Sequence, residues 1–338
     1  MEVMYRFGLA FLVLLLFPSL QPFMALRALG IGADSISMPT ITDFNKLLEP
    51  GRHRVIVRID DHNRNFIFIT PKGFKFGEQK YPIVFFLHGA GGTAEQASRT
   101  YGWSEKADAE HFFAAFPEGL PVRANGSAGF LLNPHIWRDE RAGLPAAGVD
   151  DVHFIEELLN KLEAVLPIDQ RRIYVTGFSN GAGMTFTLGA HFSDRIAAIA
   201  PVSSQSFIQM DALARPLPVY YLTGMADPLI PYQGGTVTLP WGNSRTVPPV
   251  QETVDLWAHL NGCPPEPQVV SDHNGVRVLR YGPGRDHSEV LFTTIEGNGH
   301  HWPGSIELLP PAVCGPTLDP FNATDLIWDF FKKHPLTK

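Results

Sequence analysis

Only two cysteines, Cys263 and Cys314, occur in 338 residues, so neither a disulfide-stapled scaffold nor a cysteine-built metal site is available. Basic charge is also scarce. The 27 Lys and Arg face 34 Asp and Glu, a net charge of −7, and no basic block gathers charge of the sign nucleic acid needs. No histidine–carboxylate set has metal-ligand spacing, which leaves a metal-dependent hydrolase without ligands. Internal repeats, low-complexity tracts and linkers are missing too, so one domain over 31–338 is expected. Long apolar runs are absent except near the start. There Phe7 to Phe17 follows Arg6 and precedes Pro18 and Pro22, the pattern of a signal-peptide core too short for a membrane span. Residues 1–30 are read as a signal peptide, or as an N-terminal anchor if retained. The chain is therefore expected to be secreted or periplasmic, with no stable membrane association once the segment is cleaved.

What is present suits a globular core: 44% hydrophobic and 18% charged residues, with 24 Phe and 29 Pro. Export would permit Cys263 and Cys314 to pair, tying the loop after the helix near Trp257 to the loop beyond residue 300. Asn125-Gly126-Ser127 and Asn322-Ala323-Thr324 are acceptor sequons for a host that glycosylates.

Arg172 to Thr185, RIYVTGFSNGAGMT, organises the rest. Ile173, Tyr174 and Val175 form a short buried-strand pattern that breaks at Gly177-Phe178-Ser179-Asn180-Gly181. A serine with glycine two residues away on each side is what a sharp strand-to-helix turn needs, because those positions approach other backbone too closely for a Cβ. Such a turn lifts Ser179 Oγ above the sheet at a helix N-terminus.

Strands and helices alternate on either side of this turn. Arg54 to Asp60 and Asn65 to Thr70 read as a leading hairpin. Tyr81 to Leu87 is a core strand ending in His88-Gly89-Ala90-Gly91-Gly92, a turn whose amides can face an anion. A helix is expected within Thr93 to Glu110, a strand at Phe112 to Phe116 and a loop over 119–149 carrying Trp137 and Arg138. Asp150-Asp151 starts a helix over Val152 to Val165, where Phe154, Leu158, Leu162 and Val165 repeat at helical spacing. Further strands are expected at Ile196 to Val202, Leu217 to Leu222, Arg277 to Tyr281 and Val290 to Ile295, with helices at Thr253 to Leu260 and Leu326 to Phe331. The pattern is an α/β three-layer sandwich with a mostly parallel central sheet.

A serine hydroxyl needs a base and an orienting carboxylate. Asp227 follows the Tyr220-Tyr221-Leu222 strand and stands before Pro228. His300 and His301 follow the Val290 to Ile295 strand after Gly297-Asn298-Gly299, and the residues alone leave open which of the two faces Ser179. Serine, aspartate and histidine in that chain order at successive strand ends are what the α/β-hydrolase fold arrangement expects, and they point to acyl transfer. The oxyanion donors are Asn180 N–H and an amide of the His88 turn, Ala90 with Gly89 as the alternative.

His88-Gly89-Ala90-Gly91-Gly92, Asp150-Asp151-Val152, the block Arg172 to Gly181, Asp227-Pro228 and Gly299-His300-His301-Trp302-Pro303-Gly304 together resemble the secreted polyhydroxybutyrate depolymerase-like and feruloyl or acetylxylan esterases. The resemblance covers about 55–335 and is carried most specifically by the serine block followed by Gly-His-x-Trp-Pro-Gly. It implies Ser179 as nucleophile, Asp227 as orienting acid and His300 as base, with no cofactor. Trp302 and, with it, Trp137 become candidate stacking residues for an acyl group or a sugar ring. No linker or polymer-binding domain lies between the match and Lys338, so the implied substrates are hydroxyalkanoate oligomers or polysaccharide-linked acyl esters. The rival readings are a peptidase or amidase with the same triad and a non-catalytic carbohydrate- or polymer-binding protein.

Overall fold

A computed structural model describes residues 40–77, 79–123, 126–130, 132–141, 149–242, 244–306 and 309–337. The signal or anchor segment and Asn125 of the first sequon lie outside the described residues. All described elements belong to the unit Met38–Lys338.

Eleven strands form the main sheet: β1 (Thr40–Ile41), β2 (Gly51–Ile59), β3 (His62–Thr70), β4 (Tyr81–Leu87), β5 (Phe113–Pro117), β6 (Ile168–Phe178), β7 (Ala198–Val202), β8 (Val219–Gly224), β9 (Gln268–His273), β10 (Val276–Tyr281) and β11 (Val290–Ile295). Their order is β1-β2-β3-β5-β4-β6-β7-β8-β11-β10-β9. The stretch from β5 to β11 is parallel throughout. Antiparallel strands extend it on both sides: β3 pairs with β2 and β5 at one end, and β10 with β11 and β9 at the other.

Helices cover both faces, which is why the parallel strands are apolar on both sides. Ile83, Phe85 and Leu87 of β4 face α3 (Asp151–Val165), α4 (Asn180–His191) and α5 (Val250–Asn261), through side chains such as Leu158, Phe186 and Trp257. Val84 and Phe86, on the other face of the pleat, meet the layer of α1 (Ala94–Thr100), α2 (Trp103–Glu110) and α6 (Ala323–Lys333), with Trp103, Ile327 and Phe331. Asp150 caps α3 by accepting from His153 N at 2.9 Å.

The single helix expected within Thr93 to Glu110 is two. The break falls at Gly102, whose left-handed φ of 74° starts α2 in a new direction. The expected loop over 119–149 carries a small ladder, Leu120–Pro121 against His135–Ile136. Two features were not anticipated. A hairpin joins Gly235–Thr238 to Ser244–Val247, and β9 forms a sheet edge whose QVVSDH sequence is largely exposed and so lacks an apolar alternation. Among the described residues no helix is long and apolar enough to cross a membrane.

Candidate active site

The C-terminal ends of β4, β6, β7, β8 and β11 converge on Ser179. The chain turns there with φ 56° and ψ −121°, an unusual conformation for a residue bearing a Cβ. Ser179 N donates to Val202 O of β7 at 2.9 Å, and the Ser179 carbonyl accepts from Ala182 N and Gly183 N. The flanking glycines are demanded by close backbone. A Cβ on Gly181 would stand 2.1 Å from Leu87 O and 2.5 Å from His88 O, and one on Gly177 would stand 2.6 Å from Gly181 O. Ser179 is left half-buried at the N-terminus of α4, open to an incoming ligand.

Asp227 and His300 meet directly, His300 Nδ1 lying 2.7 Å from Asp227 Oδ2 with both side chains buried. Asp227 Oδ1 accepts from Leu229 N and Ile230 N, both at 2.8 Å, which fixes the carboxylate's orientation. Because a carboxylate only accepts, the imidazole carries its proton on Nδ1, and Nε2 is the atom able to take one. The His300 ring packs on Phe178, the residue before Ser179, with centroids 4.7 Å apart. His300 N donates to Cys314 O at 2.6 Å, and a Cβ on Gly299 would fall 2.0 Å from that carbonyl, so the histidine loop is seated on the segment 314–316. His301 points elsewhere, its Nε2 lying 3.0 Å from Asp319 Oδ1.

The His88 turn lies against Ser179, since a Cβ on Gly89 would be 3.3 Å from Ser179 Cβ. Two amides of that turn are already used: Gly91 N donates to His135 O at 2.7 Å and Gly92 N to Gly89 O at 3.0 Å. His88 is fully buried. Its Nδ1 donates to Gly89 O at 2.7 Å and its Nε2 accepts from Gly119 N at 3.0 Å, while burial pulls its pKa down to about 4. It is thus a neutral brace for the turn.

Asn180 contributes more than its amide. Its Oδ1 accepts from Trp137 N at 2.7 Å and its Nδ2 donates to Trp137 O at 3.0 Å and to Asp139 Oδ2 at 3.1 Å. Asp139 is buried and paired with Arg141, whose guanidinium lies over the Phe207 ring. This network pins the long loop to the start of α4, and the sequence reading overlooked it; charged residues crowded after Trp137 in a weakly charged loop were the available signal. A second buried anchor holds the same loop: Arg64 reaches Asp151 at 2.5 Å, and Asp151 Oδ2 accepts Arg138 N at 2.9 Å. Burial depresses the Arg64 pKa, with Asp151 opposing that shift.

Three expectations need correction. Trp137 is 0% exposed, with its indole N–H donating to His88 O at 3.0 Å, so it supports the His88 turn and presents no face to a ligand. Trp302 is 1% exposed, edge-on to Phe86 and Tyr101, with Nε1 donating to Thr324 Oγ1 at 3.2 Å, so it too is packing. Cys263 and Cys314 do not form a disulfide. Cys263 meets Val290 at the start of β11, whereas Cys314 meets His300 beyond its end. A six-residue strand between them is roughly 20 Å long, far beyond the Cα separation of about 7 Å that a disulfide tolerates. Among the described residues no group of three or more His, Cys, Asp or Glu is gathered for a metal ion.

Comparison with known proteins places this geometry. The phospholipase/carboxylesterase family matches residues 75–241. NocK of Nocardia uniformis subsp. tsuyamanensis is 29% identical over 264 residues, covering 74% of this chain and 73% of that protein. Feruloyl esterase B of Piromyces equi is 28% identical over 242 residues, 70% of this chain but 42% of that longer protein. The solved acetyl xylan esterase from Aspergillus awamori shares the fold, with TM-score 0.56 and 16% identity over 83% of this chain and 99% of its own. Residues 75–241 are thus similar to the phospholipase/carboxylesterase family, and the chain is a carboxylic-ester hydrolase of the α/β-hydrolase fold.

Proposed function

We propose that the chain hydrolyses carboxylic esters through an acyl-enzyme on Ser179, with His300 as base and Asp227 as its orienting acid. The observation that carries this reading is the buried Asp227–His300 pair at 2.7 Å, packed against the residue preceding the serine. Ser179 Oγ attacks the ester carbonyl carbon as His300 Nε2 takes its proton, and the carbonyl π pair becomes the oxyanion. The amides of Asn180 and Ala90 receive that charge; Gly91 and Gly92 already donate elsewhere. When the intermediate collapses, the ester C–O bond breaks and His300 returns the proton to the departing alcohol oxygen. Water then attacks the acyl-enzyme, again giving its proton to His300, and the acid leaves as Ser179 is restored.

The substrate class is drawn from the relatives. Feruloyl esterase B and the bifunctional acetylxylan esterase/xylanase XynS20E of Neocallimastix patriciarum, 24% identical over 152 residues, favour acyl esters borne on plant polysaccharide; hydroxyalkanoate oligomers follow from the motif resemblance. Export of the enzyme, through residues 1–30, belongs to the same reading. Initial rates on methyl ferulate, acetylated xylan, 3-hydroxybutyrate oligomers and a matched peptide amide test it. Turnover of at least one ester well above the amide is expected. Amide hydrolysis alone would establish the peptidase reading, and carbohydrate binding without any turnover would establish the binding-protein reading.

A further inference from the structure

With Trp137 and Trp302 buried, the aromatic surface beside the nucleophile must come from elsewhere, and the His88 turn shows where. Gly89 of that turn lies under Ser179, and Gly91, two residues on, lies under the ring of Phe130: a Cβ on Gly91 would stand 2.4 Å from that ring. Nucleophile and ring thus flank the same turn, with the Ala90 amide between them. Trp241, 111 residues further along the chain, closes over Phe130. Its indole Nε1 donates to Phe130 O at 2.6 Å, and the two rings lie 5.7 Å apart at 50°. Both side chains remain partly exposed, so each keeps ring surface open to solvent.

The mounting is preorganised. Gly129 and Asn133 exchange backbone hydrogen bonds at 3.1 and 2.9 Å, closing a tight loop with Phe130 on its tip. The Asn133 side chain, 2% exposed, accepts from Arg123 N at 2.7 Å and donates to Arg123 O at 2.9 Å and to Gly126 O at 3.1 Å. Trp241 stands in the connection of the Gly235–Thr238 and Ser244–Val247 hairpin. A ring held by such contacts loses little freedom when a ligand stacks on it.

Sheet order says which part of an ester it meets. The His88 turn ends β4, on one side of β6 and Ser179, whereas Asp227 and His300 arrive from β8 and β11 on the other. The alcohol oxygen must face His300 to be protonated and the carbonyl oxygen faces the Ala90 amide, which leaves the acyl group to run past the His88 turn towards Phe130.

We propose that Phe130 and Trp241 form the acyl-group platform of this enzyme, selecting esters of planar aromatic acids over acetyl esters. This rests on the ester-hydrolase reading above and goes beyond it by naming the specificity residues and the acyl class. The test compares kcat/KM for 4-nitrophenyl ferulate and 4-nitrophenyl acetate in the wild type, Phe130→Ala, Trp241→Ala and Phe130→Tyr. In both alanine variants the ferulate-to-acetate ratio is expected to fall about tenfold or more, the worth of a lost aromatic contact and its buried area. Phe130→Tyr, which keeps the ring, is expected to hold the ratio within about threefold. Ratios within about twofold of wild type in both alanine variants would overturn the platform while leaving ester hydrolysis standing. A wild type that cleaves neither ester would overturn the function itself. Calorimetric titration of Ser179→Ala with methyl ferulate separates recognition from turnover: heat of binding lost on adding Phe130→Ala supports the platform, and undiminished binding refutes it.

Discussion

Replacing Asp227 by asparagine probes the geometry with almost no change in shape. Asp227 Oδ1 accepts two backbone amides, Leu229 N and Ile230 N, and Oδ2 accepts from His300 Nδ1. Asparagine has one oxygen and one NH2 group to set against these three donors. If its oxygen stays with the two amides, the NH2 faces His300 Nδ1. The imidazole must then carry its proton on Nε2, the atom that has to accept the serine proton. If the side chain flips, the productive tautomer returns, but Leu229 N and Ile230 N face a donor. Two buried unsatisfied donors cost about 1–3 kcal/mol each, so the flip is disfavoured by about 2–6 kcal/mol in all. The productive arrangement is thereby depopulated between roughly 30-fold and 10⁴-fold. Steady-state hydrolysis of 4-nitrophenyl acetate at pH 7 should show kcat reduced within that range and KM little altered, because binding precedes the proton transfer. A kcat within about threefold of wild type, in a variant whose circular dichroism is unchanged, would refute the role given to Asp227.

Three further outcomes follow from the same contacts. Gly181→Ala would press a methyl group against Leu87 O and His88 O, both main-chain atoms that cannot turn aside. Loss of soluble protein or of nearly all esterase activity is expected, and an active variant with wild-type thermal stability would contradict the turn geometry. Arg64→Leu would strip Asp151 of its buried partner at 2.5 Å, and urea unfolding should show a loss of about 3–5 kcal/mol. For His88, whose folded pKa of about 4 lies below the unfolded value near 6.5, the stabilising contribution is complete above pH 6.5 and disappears as pH falls towards 4. That contribution is about 3 kcal/mol, so urea midpoints should fall more steeply between pH 6.5 and 4.5 in the wild type than in His88→Gln. Parallel slopes would mean that His88 is not held neutral by burial.

Much of this fold could be read before any coordinates because its central strands are buried on both faces. YPIVFFL at β4 and IYV at β6 have no other sensible place, and their glycine-rich ends mark where the chain leaves the sheet. Gly177 and Gly181 were readable for the same reason: the close approach that bars a Cβ is a property of the turn, independent of the rest of the molecule. Residue spacing alone left His300 and His301 open, and it was the family resemblance that implied His300. Adjacent side chains on an extended segment diverge, and in the fold His300 meets Asp227 while His301 meets Asp319. Tryptophan exposure was illegible because a loop residue can still be covered by tertiary structure. Trp137 lies in the 119–149 segment yet beneath the His88 turn, and Trp241 reaches Phe130 across 111 residues. The cysteines misled in the same way, since their separation along β11 exists only once the strand is placed.

The central claim is that Ser179 becomes covalently acylated, and trapping that adduct tests it most directly. Incubation with a fluorophosphonate followed by intact-mass and peptide mass spectrometry should show one stoichiometric adduct on the peptide containing Ser179, with esterase activity lost in parallel. Ser179→Ala should take no label and cleave 4-nitrophenyl acetate at close to the uncatalysed rate. Label on another residue, or undiminished turnover in Ser179→Ala, would contradict the account.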